Sequence, residues 1–289
     1  MNKIADDWSD YECLYCGDAR KIERWKDIVL LRPDPLAIWE MPRNTAKIDA
    51  EYLRSDKGGG KWRFFRELPA SWNISYKQLT FKVAPLGFKH TGIFPEQAAN
   101  WKRLFELITK YHKNEFRILN LFAYTGGATL ACALADPTEI VHVDASKGMV
   151  EWAKENARLS HLENKRIRYI VDDCLKFILK EQRRGRSYQG IIMDPPSYGR
   201  GPNNEVWKFD QQINLLIVEA AKLLADDAAF FLVNTYTTGY SAAVLNNILI
   251  SNTVLNNFFD NIETGELLIP VNRQKLFLPC GIYGFCTNC

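Results

Sequence analysis

The segment with the most chemical content is Asp194-Pro195-Pro196-Ser197-Tyr198-Gly199. Two consecutive prolines remove two backbone N–H donors and restrict the chain, so what the segment presents is oxygen acceptors. Acceptors are what an amino group needs before it attacks an electrophilic methyl carbon. The exocyclic NH2 of a nucleobase has its lone pair delocalised into the ring. Hydrogen bonds from its protons to Asp194 and to a proline-flanked carbonyl push the nitrogen toward a tetrahedral nucleophile. Asp194, Pro195 and Pro196 are therefore the candidate catalytic residues, with Ser197 and Tyr198 beside them as candidate acceptor contacts. A Pro-Pro pair also simply ends a strand; it is the neighbouring clusters that favour chemistry.

Three such clusters precede it. Phe122-Ala123-Tyr124-Thr125-Gly126-Gly127 carries two glycines where a strand gives way to a helix. The backbone there can turn tightly and point free N–H groups at a ligand. The spacing is not G-x-G-x-x-G, so a dinucleotide pyrophosphate is a poor fit. Asp144, followed by Ala145 and Ser146, places a carboxylate about twenty residues on, where it can accept both ribose hydroxyls. Asp172-Asp173-Cys174 adds carboxylates suited to a purine amino group. The set describes a nucleoside held without a phosphate grip, which fits S-adenosylmethionine better than NAD or ATP. The candidate cofactor contacts are Phe122, Ala123, Tyr124, Thr125, Gly126, Asp144, Ala145, Ser146, Asp172, Asp173 and Cys174.

A scaffold that gathers these clusters is visible in the hydrophobic pattern. Apolar, strand-length runs at 116–122, 140–144, 167–171, 190–194 and 228–233 alternate with helical stretches at 128–135, 147–160, 175–182, 210–224 and 242–251. That alternation predicts βαβ units and a parallel sheet covered on both faces. In such a sheet the ligand sits at the carboxyl ends of the strands, which is where each cluster falls. At the end of the chain, 262–269 and 276–285 read as two strands joined through Asn272-Arg273-Gln274, a hairpin closing the sheet. The expected fold is α/β: a doubly wound, mostly parallel, seven-stranded Rossmann-like sheet over 113–289. Upstream, 1–44 reads as a small β-rich segment broken by Pro33, Pro35 and Pro42. A basic α+β segment follows over 45–112. It has a loop tip at Gly58-Gly59-Gly60, a strand at 79–83, and a helix over 97–111 with Trp101, Leu104, Phe105 and Ile108 on one face.

Asn120-Leu121-Phe122-Ala123-Tyr124-Thr125-Gly126-Gly127, Val143-Asp144-Ala145-Ser146, Val171-Asp172-Asp173 and Asp194-Pro195-Pro196-Ser197-Tyr198-Gly199-Arg200-Gly201 carry a family resemblance. They resemble the bacterial class I S-adenosylmethionine-dependent methyltransferases related to the large-subunit ribosomal RNA methyltransferases. Gly87-Phe88-Lys89-His90-Thr91-Gly92-Ile93-Phe94-Pro95-Glu96-Gln97 is similar to that family's segment ahead of the Rossmann domain, where Lys-Thr-Gly-Phe-Phe-x-Asp-Gln is usual. The resemblance covers residues 75–289 and implies the Rossmann-like fold, S-adenosylmethionine as cofactor, a base in ribosomal RNA as acceptor, and Phe94 and Gln97 as further cofactor contacts.

Two departures stand out. Glu96 occupies a position where the family usually has Asp. The run Asn234-Thr235-Tyr236-Thr237-Thr238-Gly239 stands where members that methylate cytosine carbon-5 carry a cysteine. Carbon-5 is a poor nucleophile until a thiolate adds to carbon-6. Cys132, Cys174 and Cys280 are not placed by this pattern to reach a base over the Asp194 strand. Methylation of a base nitrogen is the favoured chemistry, ahead of carbon-5 and ahead of a small-molecule or protein acceptor on the same fold.

Composition bounds the rest. At 47% hydrophobic and 25% charged over 289 residues, the chain can bury a large core and does not read as disordered. No apolar run approaches the ~18 residues of a membrane helix, so no membrane partner is expected. The polar N-terminus has no signal-peptide core. Seven cysteines without an export signal suggest reduced thiols and a cytoplasmic location. The net charge of +3 is unevenly spread: residues 43–103 hold 12 Lys/Arg against 5 Asp/Glu. A basic block of that kind is expected where a protein meets a polyanion, here RNA, with Lys82, Lys89, His90 and Arg103 as candidate acceptor contacts. The other histidines, His112, His142 and His161, read as structural. Cys13/Cys16 and Cys286/Cys289 are C-x2-C pairs, but nearly the whole chain separates them, and no metal is expected.

Overall fold

The computed structural model describes residues 1–55, 59–87, 89–111, 115–203, 205–237 and 239–288. The chain divides into two compact units. One comprises Ile4–Ala98 and Leu268–Cys280; the other comprises Met1–Lys3, Ala99–Leu267 and Gly281–Cys289.

In the first unit, after a two-residue strand β1 (Lys3–Ile4), the strands β2 (Tyr11–Gly17), β3 (Arg20–Trp25), β4 (Ile28–Pro33), β5 (Ala50–Arg54) and β6 (Gly60–Phe64) form one sheet in chain order. β4 and β5 pair in parallel through Leu30 and Ala50, so segments 1–44 and 45–112 share a sheet rather than forming separate pieces. A second ribbon pairs β7 (Trp72–Tyr76) with β8 (Leu79–Val83), where alternation buries Leu79, Phe81 and Val83. The β3–β4 hairpin carries a charged pair in its interior. Glu23 is fully buried, and its carboxylate accepts from Arg32 Nε at 2.6 Å, from a second Arg32 nitrogen at 2.9 Å, and from the Tyr11 hydroxyl at 2.8 Å. Lys21 Nζ lies 3.4 Å away. A buried charge persists only when its desolvation is offset by such pairing. Burial alone would raise the Glu23 pKa, but Arg32 and Lys21 outweigh it and hold the carboxyl at about 2.

The second unit carries α1 (Ala98–Tyr111), β9 (Arg117–Leu121), α2 (Gly127–Leu134), β10 (Glu139–Asp144), α3 (Lys147–Leu159), β11 (Ile167–Val171) and α4 (Cys174–Arg183). It continues through β12 (Gly190–Met193), β13 (Tyr198–Arg200), β14 (Val206–Lys208), α5 (Phe209–Ala221), β15 (Phe230–Thr235), α6 (Ala242–Ile250) and α7 (Thr253–Phe258). The hairpin β16 (Asn261–Val271) and β17 (Leu276–Thr287) ends the chain. The sheet order is β1-β16-β17-β15-β12-β9-β10-β11. Pairing is parallel from β11 to β15, and β17 runs antiparallel to β15. These are the seven expected strands plus β1. Two residues carry no periodic signal, and the partner of β1 lies at the far end of the chain, which is why the sequence did not show it.

β12 and β15 are buried along their whole length, as strands covered on both faces must be. The core packs them with β9 and β10 under α4 and α5, through Leu119, Val141, Phe177, Ile191, Leu216 and Phe231. On α1, Trp101, Leu104 and Ile108 are buried as expected, whereas Phe105 turns outward and is 40% exposed. The chain moves from β9 out to β10 and β11, then returns to place β12 on the other side of β9. The carboxyl ends of β9 and β12 therefore flank a topological switch point.

Candidate active site

The loop after β9 is shaped by three left-handed residues: Phe122 (φ 54°), Tyr124 (φ 51°) and Gly126 (φ 91°). Two of the three are aromatic, a costly conformation that persists where the surroundings impose it. Gly127 then opens α2. A Cβ there would meet the Trp101 ring at 2.5 Å, so only glycine lets α1 pack on the loop. Asn156 of α3 donates to the Thr125 carbonyl at 2.9 Å and anchors the turn.

Asp144, at the end of β10, is the carboxylate this loop addresses. Its Oδ2 accepts from the Tyr124 amide at 2.8 Å, and its Oδ1 accepts from the Ser146 amide at 2.9 Å. Burial raises its pKa, and those two amides pull it back only in part. Each oxygen retains a lone-pair direction, which is what a vicinal diol requires. Ser146 caps α3 by accepting from Met149, and Ala145 joins the two.

At the end of β11, Asp172 Oδ2 pairs with Lys180 at 2.5 Å, and its Oδ1 accepts from the Asp173 amide at 3.0 Å. Asp173 caps α4, accepting from Lys176 at 2.9 Å. The Cys174 thiol accepts from the Phe122 amide at 3.4 Å, and burial pushes its pKa well up. Asp173 and Cys174 thus brace the β9 and β11 loops with their side chains.

At the end of β12, the Asp194 amide donates to Leu121 at 3.3 Å. The Pro196 carbonyl accepts from the Trp207 indole at 2.6 Å. Ser197 is held twice: its carbonyl accepts from the Phe209 amide at 3.1 Å and its hydroxyl from Thr237 at 3.1 Å. Trp207 also packs its ring 5.2 Å from Phe122. Trp207 and Lys180 carry no motif signal, and only the fold assigns them to this edge. The four loops after β11, β10, β9 and β12 thus line adjacent strand ends, as the sequence pattern required.

Lys82, Lys89, His90, Phe94 and Gln97 belong to the other unit. There the Lys89 carbonyl accepts from Arg32 at 2.8 Å, and the His90 ring lies tilted against Phe94, with ring centres 5.1 Å apart. Burial, then Arg32 and Lys89, push His90 down to about 3, and burial and Lys21 lower Lys89. Gln97 and Glu96 are buried in a single 3-10 turn. Lys82 is half-buried on β8. Phe88 lies outside the described residues. Arg103, by contrast, pairs with Glu263 at 2.7 Å and lies 4.0 Å over the Phe285 ring, which ties α1 to the terminal hairpin.

Cys13 and Cys16 are both buried on β2, and the Cys13 thiol donates to the Tyr15 carbonyl at 3.8 Å. Cys289 and His112 lie outside the described residues, and among the described residues no group of three or more ligating side chains could hold a metal. His142 is buried in β10 against Thr129, at 2.9 Å. No helix is long and apolar enough to cross a membrane among the described residues.

A doubly wound sheet with a diol-ready carboxylate after β10 and an Asp-Pro-Pro end on β12 defines a nucleoside-cofactor enzyme of the Rossmann-like class. A family model for S-adenosylmethionine-dependent methyltransferases matches residues 46–244, and the chain belongs to that family. A crystal structure of the S-adenosylmethionine-dependent methyltransferase from Agrobacterium tumefaciens is 30% identical, with a TM-score of 0.92, over 100% of this chain and 94% of that one. A Streptococcus mutans methyltransferase structure shares the fold at 16% identity, with a TM-score of 0.72, over 97% of this chain and 76% of that one. The ribosomal RNA large subunit methyltransferase K/L of Shewanella baltica is 28% identical over 205 residues, which is 70% of this chain and 27% of that protein. Its counterpart in Chromohalobacter salexigens is 28% identical over 191 residues, or 66% of this chain and 23% of that protein. The chain spans about a quarter of the length of these curated relatives. The protein is an enzyme, and its cofactor is S-adenosylmethionine. The amide-braced Asp144 and the glycine turn at 126–127 fit that cofactor's ribose without a phosphate grip.

Proposed function

We propose that this methyltransferase acts on a nitrogen of a base in RNA, with ribosomal RNA the foremost candidate. The carrying observation is the Asp194-Pro195-Pro196 end of β12. The acceptors of the motif are the Asp194 carboxylate and the proline-flanked carbonyls, of which the Pro196 carbonyl also accepts from the Trp207 indole. The cofactor, when bound, supplies a methyl on a positively charged sulfur. The residues of the chain do the rest by positioning. Asp144 would hold the ribose with the help of Tyr124, Thr125 and Gly126, Asp172 would serve the adenine amino group, and Asp194 would orient the acceptor nitrogen. Holding nucleophile and methyl in line replaces a bimolecular encounter and contributes several kcal/mol, on the order of 7 to 11 at best. The base must leave its stack to enter such a site.

Nitrogen rather than carbon is supported by the thiols. Burial pushes the Cys174 thiol well up, against the opposing pull of the Phe122 amide, which makes it a poor source of thiolate. Cys132 and Cys286 are likewise raised by burial. RNA is supported by the relatives named for ribosomal RNA and by the basic block at 43–103. Arg103, engaged with Glu263, leaves the set of acceptor contacts, while Lys82, Lys89, His90, Phe94 and Gln97 remain in the roles the resemblance and the charge suggested. A cytoplasmic location belongs to the same proposal, since that is where bacterial ribosomal RNA is modified. The test is incubation of the full chain with tritiated S-adenosylmethionine and in vitro transcribed large-subunit RNA. Label in the RNA is expected. Label confined to protein or to small molecules would contradict the reading.

A further inference from the structure

The ribbon β13–β14 follows the Asp-Pro-Pro end immediately, and its two faces differ. The register pairs Tyr198 with Lys208, Gly199 with Trp207, and Arg200 with Val206. Alternation therefore places Trp207 and Gly199 on one face, and Tyr198, Arg200, Val206 and Lys208 on the other. The inner face is fixed by Trp207, which is buried, donates to Pro196 and packs on Phe122. The described residues at the ends of its connection are held as well. Gly201 donates to the Glu205 carbonyl at 2.8 Å, and the Glu205 carboxylate accepts from the Asn203 amide at 2.8 Å while pairing with Lys176 of α4. The ribbon's one carboxylate is thereby neutralised.

The outer face is solvent-directed: Tyr198 is 54% and Val206 46% exposed, and Arg200 and Lys208 are exposed. Among the described residues neither cation forms an ion pair. The opposite edge of the sheet makes the contrast. There a cavity of 360 Å³ is also rich in cations, but Arg117 pairs with Glu115, Lys165 with Asp136, and Arg168 and Arg186 with Glu139. Those four are paired within the protein, whereas Arg166 of the same lining forms no ion pair among the described residues. The two on the ribbon are not paired. They sit on the diagonal of the ribbon, about 7–8 Å apart, alternating with an aromatic and an aliphatic side chain. A π-face between unpaired cations, on a rigid element bonded to the catalytic strand end, matches a nucleic-acid strand: bases stack and phosphates pair.

We propose that the outer face of β13–β14 grips the acceptor RNA next to the target base, Arg200 and Lys208 on phosphates and Tyr198 against a base. The inference rests on the RNA reading above. It explains how a target base can be presented to Asp194 by an element that moves with Pro196.

The test is RNA binding at several salt concentrations and methylation kinetics for the wild type, Arg200→Ala/Lys208→Ala and the charge-keeping Arg200→Lys/Lys208→Arg, using in vitro transcribed large-subunit RNA. The alanine pair should flatten the log–log salt slope by about 1.4 to 1.8, as expected for two lost phosphate contacts. It should raise the KM for RNA about tenfold or more, with calorimetric S-adenosylmethionine affinity unchanged as the check on folding. The charge-keeping pair should retain most of the slope. An unchanged slope and KM in the alanine pair, with RNA still methylated by the wild type, overturns the ribbon's role and leaves the RNA reading standing. A wild type with neither salt-dependent RNA binding nor RNA methylation overturns both.

Discussion

Glu23 and Asp144 are carboxylates drawn away from water, one in each unit, and they are held in opposite ways. Every strong contact of Glu23 is with a cation or a hydroxyl: Arg32 twice, Lys21 and Tyr11. Its pKa falls to about 2 despite burial. Among the described residues Asp144 accepts from two backbone amides, and its pKa rises with burial. The difference separates structure from site. A carboxylate that closes a core is saturated with counter-charge. Asp144, oriented by amides, keeps lone-pair directions that the proposed diol contact would use.

The largest effect should come from breaking the saturated pair. Glu23→Ala leaves the buried Arg32 without its counter-charge and Lys21 with Asp34 alone, and stranding a buried ion in this way costs about 3–5 kcal/mol. Urea unfolding should show this loss, whereas Asp144→Ala should cost clearly less. The same carboxylate sets an acid limit. Because the folded pKa of Glu23 is depressed from 4.5 to about 2, its contribution is complete above 4.5 and disappears as pH falls toward 2. Unfolding midpoints followed from pH 6 down through that window should fall in the wild type, and the fall should be reduced in Glu23→Gln.

Next in size is turnover. Asp194→Ala should lower kcat by 10²-fold or more (about 3 kcal/mol) with cofactor still bound, since its contact to the acceptor matters most in the transition state. Asp194→Asn, which keeps one acceptor, should be milder.

Smaller again is the direct probe of the diol carboxylate. Asp144→Ala should weaken S-adenosylmethionine binding ten- to a hundredfold by calorimetry, roughly 1.5–3 kcal/mol for a charge-assisted hydrogen bond. The smallest effect is its pH signature. Asp144 binds its proton more readily than an ordinary aspartate, so cofactor affinity should weaken on acidification before a free carboxylate would titrate. That pH dependence should vanish in Asp144→Asn. Asp144 and Glu23 then have opposite linkage: the raised pKa of Asp144 favours folding at low pH and loses that effect as pH rises through it.

The sheet was legible because strands such as Gly190–Met193 and Phe230–Thr235 are buried on both faces and appear as unbroken apolar runs between helices. The candidate clusters fall together for the same reason, since topology puts whatever ends those strands along one edge. What escaped was non-local or short. Glu23 and Arg32 meet only across the β3–β4 hairpin, and nothing in their spacing announces a buried pair. The three-residue strands β13 and β14 are below the length at which alternation can be counted, so Trp207, Arg200 and Lys208 went unseen although Tyr198 did not. Arg103 was counted as a free cation because its partner Glu263 is on the last hairpin. The capping roles of Asp173 and Ser146 were hidden behind a ligand role that the same residues suggest equally well.

The central claim is nitrogen methylation directed by Asp194, and the most direct measurement is the identity of the methylated atom. RNA labelled by the wild type from tritiated S-adenosylmethionine would be digested to nucleosides and resolved by chromatography and mass spectrometry, beside RNA treated with Asp194→Ala. The account predicts label on a base nitrogen with the wild type and at least a hundredfold less with the variant. Label on carbon-5 of a pyrimidine, with a covalent enzyme–RNA adduct trapped by a fluorinated cytosine, would contradict it.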